Sequence, residues 1–319
     1  MMKKLIRKNV NLFRHYGIFG ACRLYAKIAL WHIRYYVSSG KSRYKKVRVN
    51  DYEMFIDLRD SGISKALFVY GTREKDQMGI VKSVILPGMR VLDIGANIGY
   101  YVIMESRLIG SSGKIIAYEP SADNCALLKK NLELNNLSGK VELNEAAVSD
   151  KAGTARFYVS DKSNLHTLNP SASAKHTDNH VEVKTADIYE IIGRNKDIGF
   201  IRMDIEGHEV EVLKRLGKAV TDFKVYPKVL FETHFPKYNA EKHNICESLE
   251  TLFHLGYTAK ILTSTGERAT KLWQKKYKPE QIVKADLVAR GIYKDVLNED
   301  VLGAVSIEGG VRAVLLVKD

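Results

Sequence analysis

The sequence predicts a doubly wound α/β domain carrying a basic helical extension at its N-terminus. Short apolar runs, "RVLDIG", "KIIAYEP", "KVELNEAAV", "FIRMDIEG" and "KVLFETH", alternate with helical segments. That is the pattern of mostly parallel strands joined by right-handed crossovers. With 319 residues and 45% apolar side chains, the chain has material for a sizeable core. The formal net charge of +13 is confined to the first fifty residues, which hold 13 of the 50 Lys and Arg and no Asp or Glu; 37 basic and 37 acidic residues remain beyond them.

The basic arm is expected over residues 1–48 and the α/β domain over 49–319, its core beginning near 80. Within the arm, "GIFGACRLYAKIALWHIRYYV" is apolar enough to resemble a membrane span, but three bases interrupt it. On a helix advancing about 100° per residue, Arg23, Lys27 and Arg34 share one stripe. Leu24, Ile28, Trp31, Ile33, Tyr35 and Val37 cover much of the remainder. The helix is therefore amphipathic rather than spanning. Two destinations stay open for it: an anionic membrane surface, or its own domain. Cys22, Cys125 and Cys246 are widely separated, odd in number and without a CxxC pair. This points to a reducing, cytoplasmic setting, with peripheral contact at the inner membrane surface as the arm's membrane role, and offers no zinc framework.

The run "KKVRVNDYEMFIDL" alternates like a hairpin turning at Asn50 and Asp51, with Val47, Val49, Met54 and Ile56 available to a core. A helix over 74–86 stops before Pro87 and Gly88. Helices follow at 121–136, where Ser121 is placed to cap and Cys125, Leu128 and Leu132 share a face, and at 207–216. Residues 160–180, rich in Ser, Asn, Thr and Ala, read as a long loop. "ICESLETLFHLGY" reads as a helix with Gly256 at its C-terminal cap, and "RAVLLVK" as a final, antiparallel strand.

In open α/β sheets ligands collect at the carboxyl ends of strands. The first strand runs into "VLDIGANIGYY", where Gly95 and Gly99 allow a tight turn and close backbone approach. A dinucleotide fingerprint would need glycine where Asn97 and Tyr100 stand. An acid at this loop, Asp93, suits an ammonium group better than a diphosphate, which favours S-adenosylmethionine. Glu119, ending the second strand 26 residues later, can accept hydrogen bonds from both ribose hydroxyls.

Taken in order, "YGTREKDQ", "VLDIGANIGYY", "AYEP", "AAVSD", "FIRMDIEGHE" and "FETH" resemble the FkbM family of S-adenosylmethionine-dependent methyltransferases, over roughly residues 60–235. The resemblance implies a Rossmann-like methyltransferase sheet, with Asp93, Gly95, Asn97 and Gly99 along the methionine end and Glu119 on the ribose. It adds Glu74 as a further cofactor-facing residue. Where the family usually has Lys, this chain has Arg202, a cation of different hydrogen-bonding geometry.

Methyl transfer to a hydroxyl requires positioning and removal of a proton. Asp204 and Glu206, ending the fourth strand, and Glu232 and His234, ending the fifth, are expected to converge on the transferred methyl, Asp204 also meeting the cofactor. His234, ordinarily titrating near neutrality, is the expected general base. Glu209 reads as a charge favouring its helix dipole, and His166 as a solvated loop residue. Oxygen-rich clusters such as this one bind divalent cations in other settings, but none is assigned here. The acceptor implied by the resemblance is a saccharide or natural-product hydroxyl. Amino methyltransferases of nucleic acids carry an N/D-P-P-aromatic motif where this chain has "MDIEGHE", and the neutral body also disfavours nucleic acid. Two other classes stay in view: an RNA methyltransferase using the arm as a clamp, and a cofactor-binding module without turnover.

Overall fold

The computed structural model describes residues 2–37, 43–169, 179–239, 241, 243–267, 269–285 and 288–318. The arm forms α1 (Met2–Val37), broken at Gly17, whose φ of 66° and ψ of 179° are not helical. Beyond Gly17 its inward face, Ala21, Leu24 and Trp31, is buried. The hairpin follows as β1 (Tyr44–Val49) and β2 (Tyr52–Asp57), whose register pairs Val49 with Tyr52 across the Asn50–Asp51 turn. The boundary expected at residue 48 thus falls inside a strand, and α1 ends eleven positions earlier. Val49, Met54 and Ile56 are fully buried, while Val47 is half-buried against the same cluster. Next come α2 (Ile63–Tyr70), on which α1 lies, and α3 (Lys75–Val84).

The alternating section then runs β3 (Arg90–Ile94), α4 (Tyr100–Leu108), β4 (Lys114–Tyr118), α5 (Ala122–Leu134) and β5 (Val141–Asn144). The Ser121 hydroxyl caps α5 by accepting from the Asn124 amide, as its sequence position suggests. "KVELNEAAV" does not form one strand: after β5 the chain leaves the main sheet for β6 (Ala147–Ser149), which joins β7 (Gly153–Tyr158) and β8 (His180–Asp187) in a separate three-stranded sheet. The loop expected over 160–180 lies between β7 and β8. It holds a 3₁₀ turn at Ser163–Leu165, and Thr167 pairs with Tyr158; residues 170–178 lie outside the described residues.

The order continues α6 (Ile188–Arg194), β9 (Ile198–Met203), α7 (Glu209–Phe223), β10 (Lys228–Glu232), α8 (Ile245–His254), β11 (Tyr257–Ser264), β12 (Gln281–Ala285), β13 (Val288–Lys294), α9 (Asn298–Gly303) and β14 (Val311–Lys318). Gly256, with φ of 90°, follows α8 as expected. The main sheet has nine strands in the order β12-β13-β11-β14-β10-β9-β3-β4-β5. From β10 to β5 the pairings are parallel, and β14, β11, β13 and β12 add an antiparallel half. The strand order reverses between β3 and β9, opening a crevice above their carboxyl ends, where such sheets bind ligands. Two apolar clusters cover the two faces of the sheet. Among the described residues no helix is long and apolar enough to cross a membrane.

Candidate active site

A cavity of about 340 Å³ sits above the crevice, large enough for a cofactor. Its floor is the turn after β3. Gly95 takes φ of 84°, and a Cβ there would run into the carbonyl oxygen of Asp204, so the backbone itself forms the wall. Asn97, with φ of 51°, donates its backbone N–H to Glu119 Oε2 at 2.8 Å and its side-chain amide to the Ser163 carbonyl at 3.2 Å. Glu119 is 4% exposed and also accepts from the Ser121 amide at 2.9 Å and from Asn124 at 3.2 Å. Burial pushes its carboxyl up to about 7, against these hydrogen bonds to the charged form. Three bonds leave accepting capacity on the carboxylate for a ligand hydroxyl.

Gly99 and Asp93 stand apart from the cavity lining. Gly99 opens α4 with φ of 91°, and a Cβ there would come within 2.5 Å of Leu128 Cδ1; its lack of a side chain serves helix packing. Asp93 is fully buried behind the wall, where its Oδ1 accepts from Arg202 Nη1 at 3.0 Å. An acid ending a central strand has two neighbours to pair with, and here β9 supplies a guanidinium before any ligand can. Arg202 in turn reaches Asp204 Oδ2 at 3.3 Å and lies 3.7 Å from the centre of the Tyr101 ring. It thus uses the planar fork that a lysine would not provide.

Glu74, at the head of α3 with φ of 49°, lines the cavity with its carboxylate held by Arg73 and Arg312, both at 2.9 Å, and by the Tyr101 hydroxyl at 3.1 Å. Burial alone would raise its pKa, but Arg73, Arg312 and Arg202 bring it down to about 2. Arg312 enters from the last strand, β14, and also pairs with Glu232 at 3.0 Å. Gln77 donates to Glu232 Oε2 at 2.9 Å.

Asp204 and Glu206 after β9 and Glu232 and His234 at the end of β10 lie close together. His234 Nε2 lies 3.5 Å from Glu206 Oε2 and 3.8 Å from Asp204 Oδ1, while Nδ1 donates to Glu209 Oε1 at 2.9 Å. Burial would lower the imidazole pKa, but Glu209 and Glu206 outweigh it and raise it well above the usual histidine value. The acids around it thus favour the charged imidazolium form of His234. The Asp204 carboxyl is also shifted upward. Burial, then repulsion from Glu232, raises its carboxyl to about 8 against the pull of Arg202 and His234. Glu206, with φ of 52°, is lowered by His234 despite burial, and Lys237 donates to its backbone oxygen at 2.6 Å.

Two residues read as bland from sequence belong to the site. Glu209 is fully buried, accepts from His234, from the Tyr238 hydroxyl at 3.1 Å and from the Gly207 amide at 3.2 Å, and is held at about 2 chiefly by His234 against burial. His166 lines the cavity, half-buried, its Nδ1 accepting from the Ser160 amide and its ring edge-on to Phe157. Burial lowers its pKa. Arg312 had no sequence signal, while Arg73, Gln77 and Tyr101 lie within the motifs "YGTREKDQ" and "VLDIGANIGYY" without having been singled out. The "GHE" after "MDIE" was the one available pointer to Glu209.

Asp204, Glu232 and His234 bring one donor atom each within 4.8 Å of one another, a set able to hold a divalent cation. Arg202 stands 3.3 Å from Asp204 and Arg312 3.0 Å from Glu232 in the same cluster. For an adenosyl cofactor with an amino-acid tail the lining fits: it joins the Gly95 turn to the carboxyl groups of Glu119, Glu74 and Asp204.

The profile of the methyltransferase FkbM domain matches residues 93–259, just over half of the chain. The chain belongs to the FkbM methyltransferase family. S-adenosylmethionine is accordingly its cofactor. A curated relative named methyltransferase 1, from Beauveria bassiana strain ARSEF 2860, is 25% identical over 145 residues. That alignment covers 40% of this chain and 57% of the relative, so little more than half of the relative's length is matched. Among solved structures, an S-adenosylmethionine-dependent O-methyltransferase from Thermotoga maritima is 16% identical with a TM-score of 0.40, over 87% of this chain and 78% of that one. The methyltransferase FkbM of Methylobacillus flagellatus KT is 15% identical with a TM-score of 0.40, over 74% and 56% respectively. This FkbM-family chain carries its domain on the parallel half of the sheet, β3 to β10, with the antiparallel half supplying Arg312.

Proposed function

We propose that the protein methylates a hydroxyl group, on a saccharide or a related small-molecule acceptor, with S-adenosylmethionine as donor. The observation that carries this reading is the cluster at the ends of β9 and β10. There a carboxyl raised to about 8, Asp204, stands beside an imidazolium, His234, at the edge of the cofactor cavity. Bound S-adenosylmethionine supplies a methyl carbon activated by its sulfonium. Glu119 would accept from the ribose hydroxyls. Glu74 and Asp204 would lie along the amino-acid end, with Gly95 and Asn97 as the wall, while Asp93 acts through Arg202.

In this reading the acceptor hydroxyl loses its proton to the Asp204 carboxylate as its oxygen bonds to the methyl carbon. The carbon–sulfur bond breaks, and its electron pair neutralises the sulfonium. Asp204 suits the role because a base is most effective with a pKa near the working pH. His234, kept charged by Glu209 and Glu206, holds the Asp204 carboxylate in place and favours its ionised form when the acceptor arrives. Glu206 and Glu232 set the charge around that pair, and an acceptor rich in hydroxyls finds carboxylates to bond.

The test is transfer of labelled methyl from S-adenosylmethionine to host extract, followed by counting of lipid, polysaccharide, nucleic-acid and protein fractions. Alkali-stable label in polysaccharide or glycolipid is the expected result. Label in RNA would replace the acceptor, and cofactor binding without any transfer would replace the enzymatic reading itself.

A further inference from the structure

We propose that helix α1 docks the protein on an anionic lipid bilayer through an apolar face turned away from the domain. Past Gly17 the helix presents two apolar sides. The inward side, Ala21, Leu24 and Trp31, is buried on α2, with the Trp31 and Phe68 rings 5.4 Å apart. The outward side carries Ile18 (71% exposed), Phe19 (91%), Leu30 (39%), Ile33 (59%) and Tyr36 (77%). At about 100° per residue these five fall within an arc of about 120°. The arc also includes Cys22, Ala26 and Ala29, all exposed and none charged, and the position of Val37. Such a continuous apolar stripe has no role in folding the chain that bears it, and marks a surface built to be covered.

The bases decide what covers it. Arg23, Lys27 and Arg34 run along one border between the two apolar sides. Lys27 donates to the Val69 carbonyl at 3.2 Å, and the Arg34 guanidinium lies 5.5 Å from the Phe68 ring centre. The stripe found in the sequence is thus a hinge line between a domain-facing and an outward-facing surface, and not the solvent face of a helix packed on one side. Residues 1–50 contain 13 Lys and Arg and no acid. Two copies meeting through this face would set Arg23, Lys27 and Arg34 against like charges of the other copy, whereas an anionic lipid surface offers matching charge to the bases and an acyl boundary to Phe19, Ile33 and Tyr36. A helix from Ile18 to Val37 is about 30 Å long, room enough to lie in the interface plane.

Through α2 the docked helix is connected to the cavity lining. It rests on α2, whose first residue, Ile63, lines the cavity, and whose end leads through Gly71 to Arg73 and Glu74 in the same lining. That the acceptor itself is membrane-borne rests on the methyltransferase reading above; the docking does not.

The experiment sediments the full chain with vesicles of phosphatidylcholine and phosphatidylglycerol in about a two-to-one ratio, and with phosphatidylcholine alone, at low and high salt. Phe19→Glu and Ile33→Glu are combined in one variant, with its thermal transition and S-adenosylhomocysteine binding as controls. The expected result is sedimentation with the anionic vesicles only, weakened by salt and reduced about tenfold or more in the variant, whose controls stay unchanged. Absence of the wild-type chain from the anionic pellet would overturn the proposal. So would a dimer in light scattering that the variant dissociates while vesicle binding persists. The methyltransferase reading stands or falls separately, by label transfer to soluble acceptor.

Discussion

Glu209 and His234 are joined by a 2.9 Å hydrogen bond between groups 25 positions apart, one opening α7 and the other following β10. The carboxylate is fully buried and the imidazole nearly so, and each charge makes the other tenable. Glu209→Gln would leave His234 with one fewer partner and bring its raised pKa back toward the ordinary range. NMR titration of the imidazole is expected to show that fall, together with a stability loss of about 3 kcal/mol, as breaking a buried pair does. An unchanged His234 titration would mean that Glu206 and Asp204 alone keep it charged.

The same pair makes stability depend on pH in a known direction. Glu209 is held at about 2 when folded, so its contribution is present above the ordinary carboxylate range and is lost as pH falls toward 2. His234 is raised when folded, so its contribution is present below the ordinary histidine range and is lost as pH climbs through the higher folded value. Denaturant midpoints across pH are expected to be highest between these limits, and Glu209→Gln to flatten the acid side.

Asp204, with a pKa of about 8, gives the activity its own profile. As a proton acceptor it works in the ionised form, so kcat/KM is expected to rise with pH up to about 8 and level off. Asp204→Asn should lower kcat by about 10²- to 10⁴-fold with a smaller change in cofactor affinity. A profile that is flat from pH 6 to 9 would move the base elsewhere.

Glu119 is expected to bind ribose hydroxyls as a carboxylate, and its pKa of about 7 makes cofactor affinity increase as pH rises through neutrality. Glu119→Ala should weaken S-adenosylhomocysteine binding by about 10- to 100-fold in calorimetry, the value of hydrogen bonds to a charged group. An equal affinity in the variant would separate Glu119 from the cofactor and leave it to the Asn97 turn.

Beneath the site, Glu105 is fully buried and neither of its carboxylate oxygens has a hydrogen-bond partner; burial, then Asp93, raises its pKa well above the usual range. It is neutral when folded and charged when unfolded, so the folded state loses stability as pH rises from about 4 toward the folded value. Glu105→Gln should remove that decline and gain at least about 1 kcal/mol near pH 8. Parallel stability curves for the two proteins would contradict this.

The alternation of short apolar runs with amphipathic segments determined β3, β4, β9, β10 and the helices α5 and α7, because periodicity and caps act within a few residues of chain. The glycine turn at Gly95 and the convergence of Asp204, Glu206, Glu232 and His234 were legible for a related reason: strand ends in a parallel sheet share one edge. The antiparallel half was legible only in β14, since β11, β12 and β13 lack a distinctive period or turn signal. Only tertiary structure decided that Asp93 pairs with Arg202, 109 positions away, instead of facing a ligand. It also brought Arg312 to Glu74 across 238 positions and surrounded His234 with acids that raise its pKa. It turned one apolar side of α1 to the domain and left the other outside. Charge state and partnership depend on distance and burial in space, and a linear order of residues carries neither.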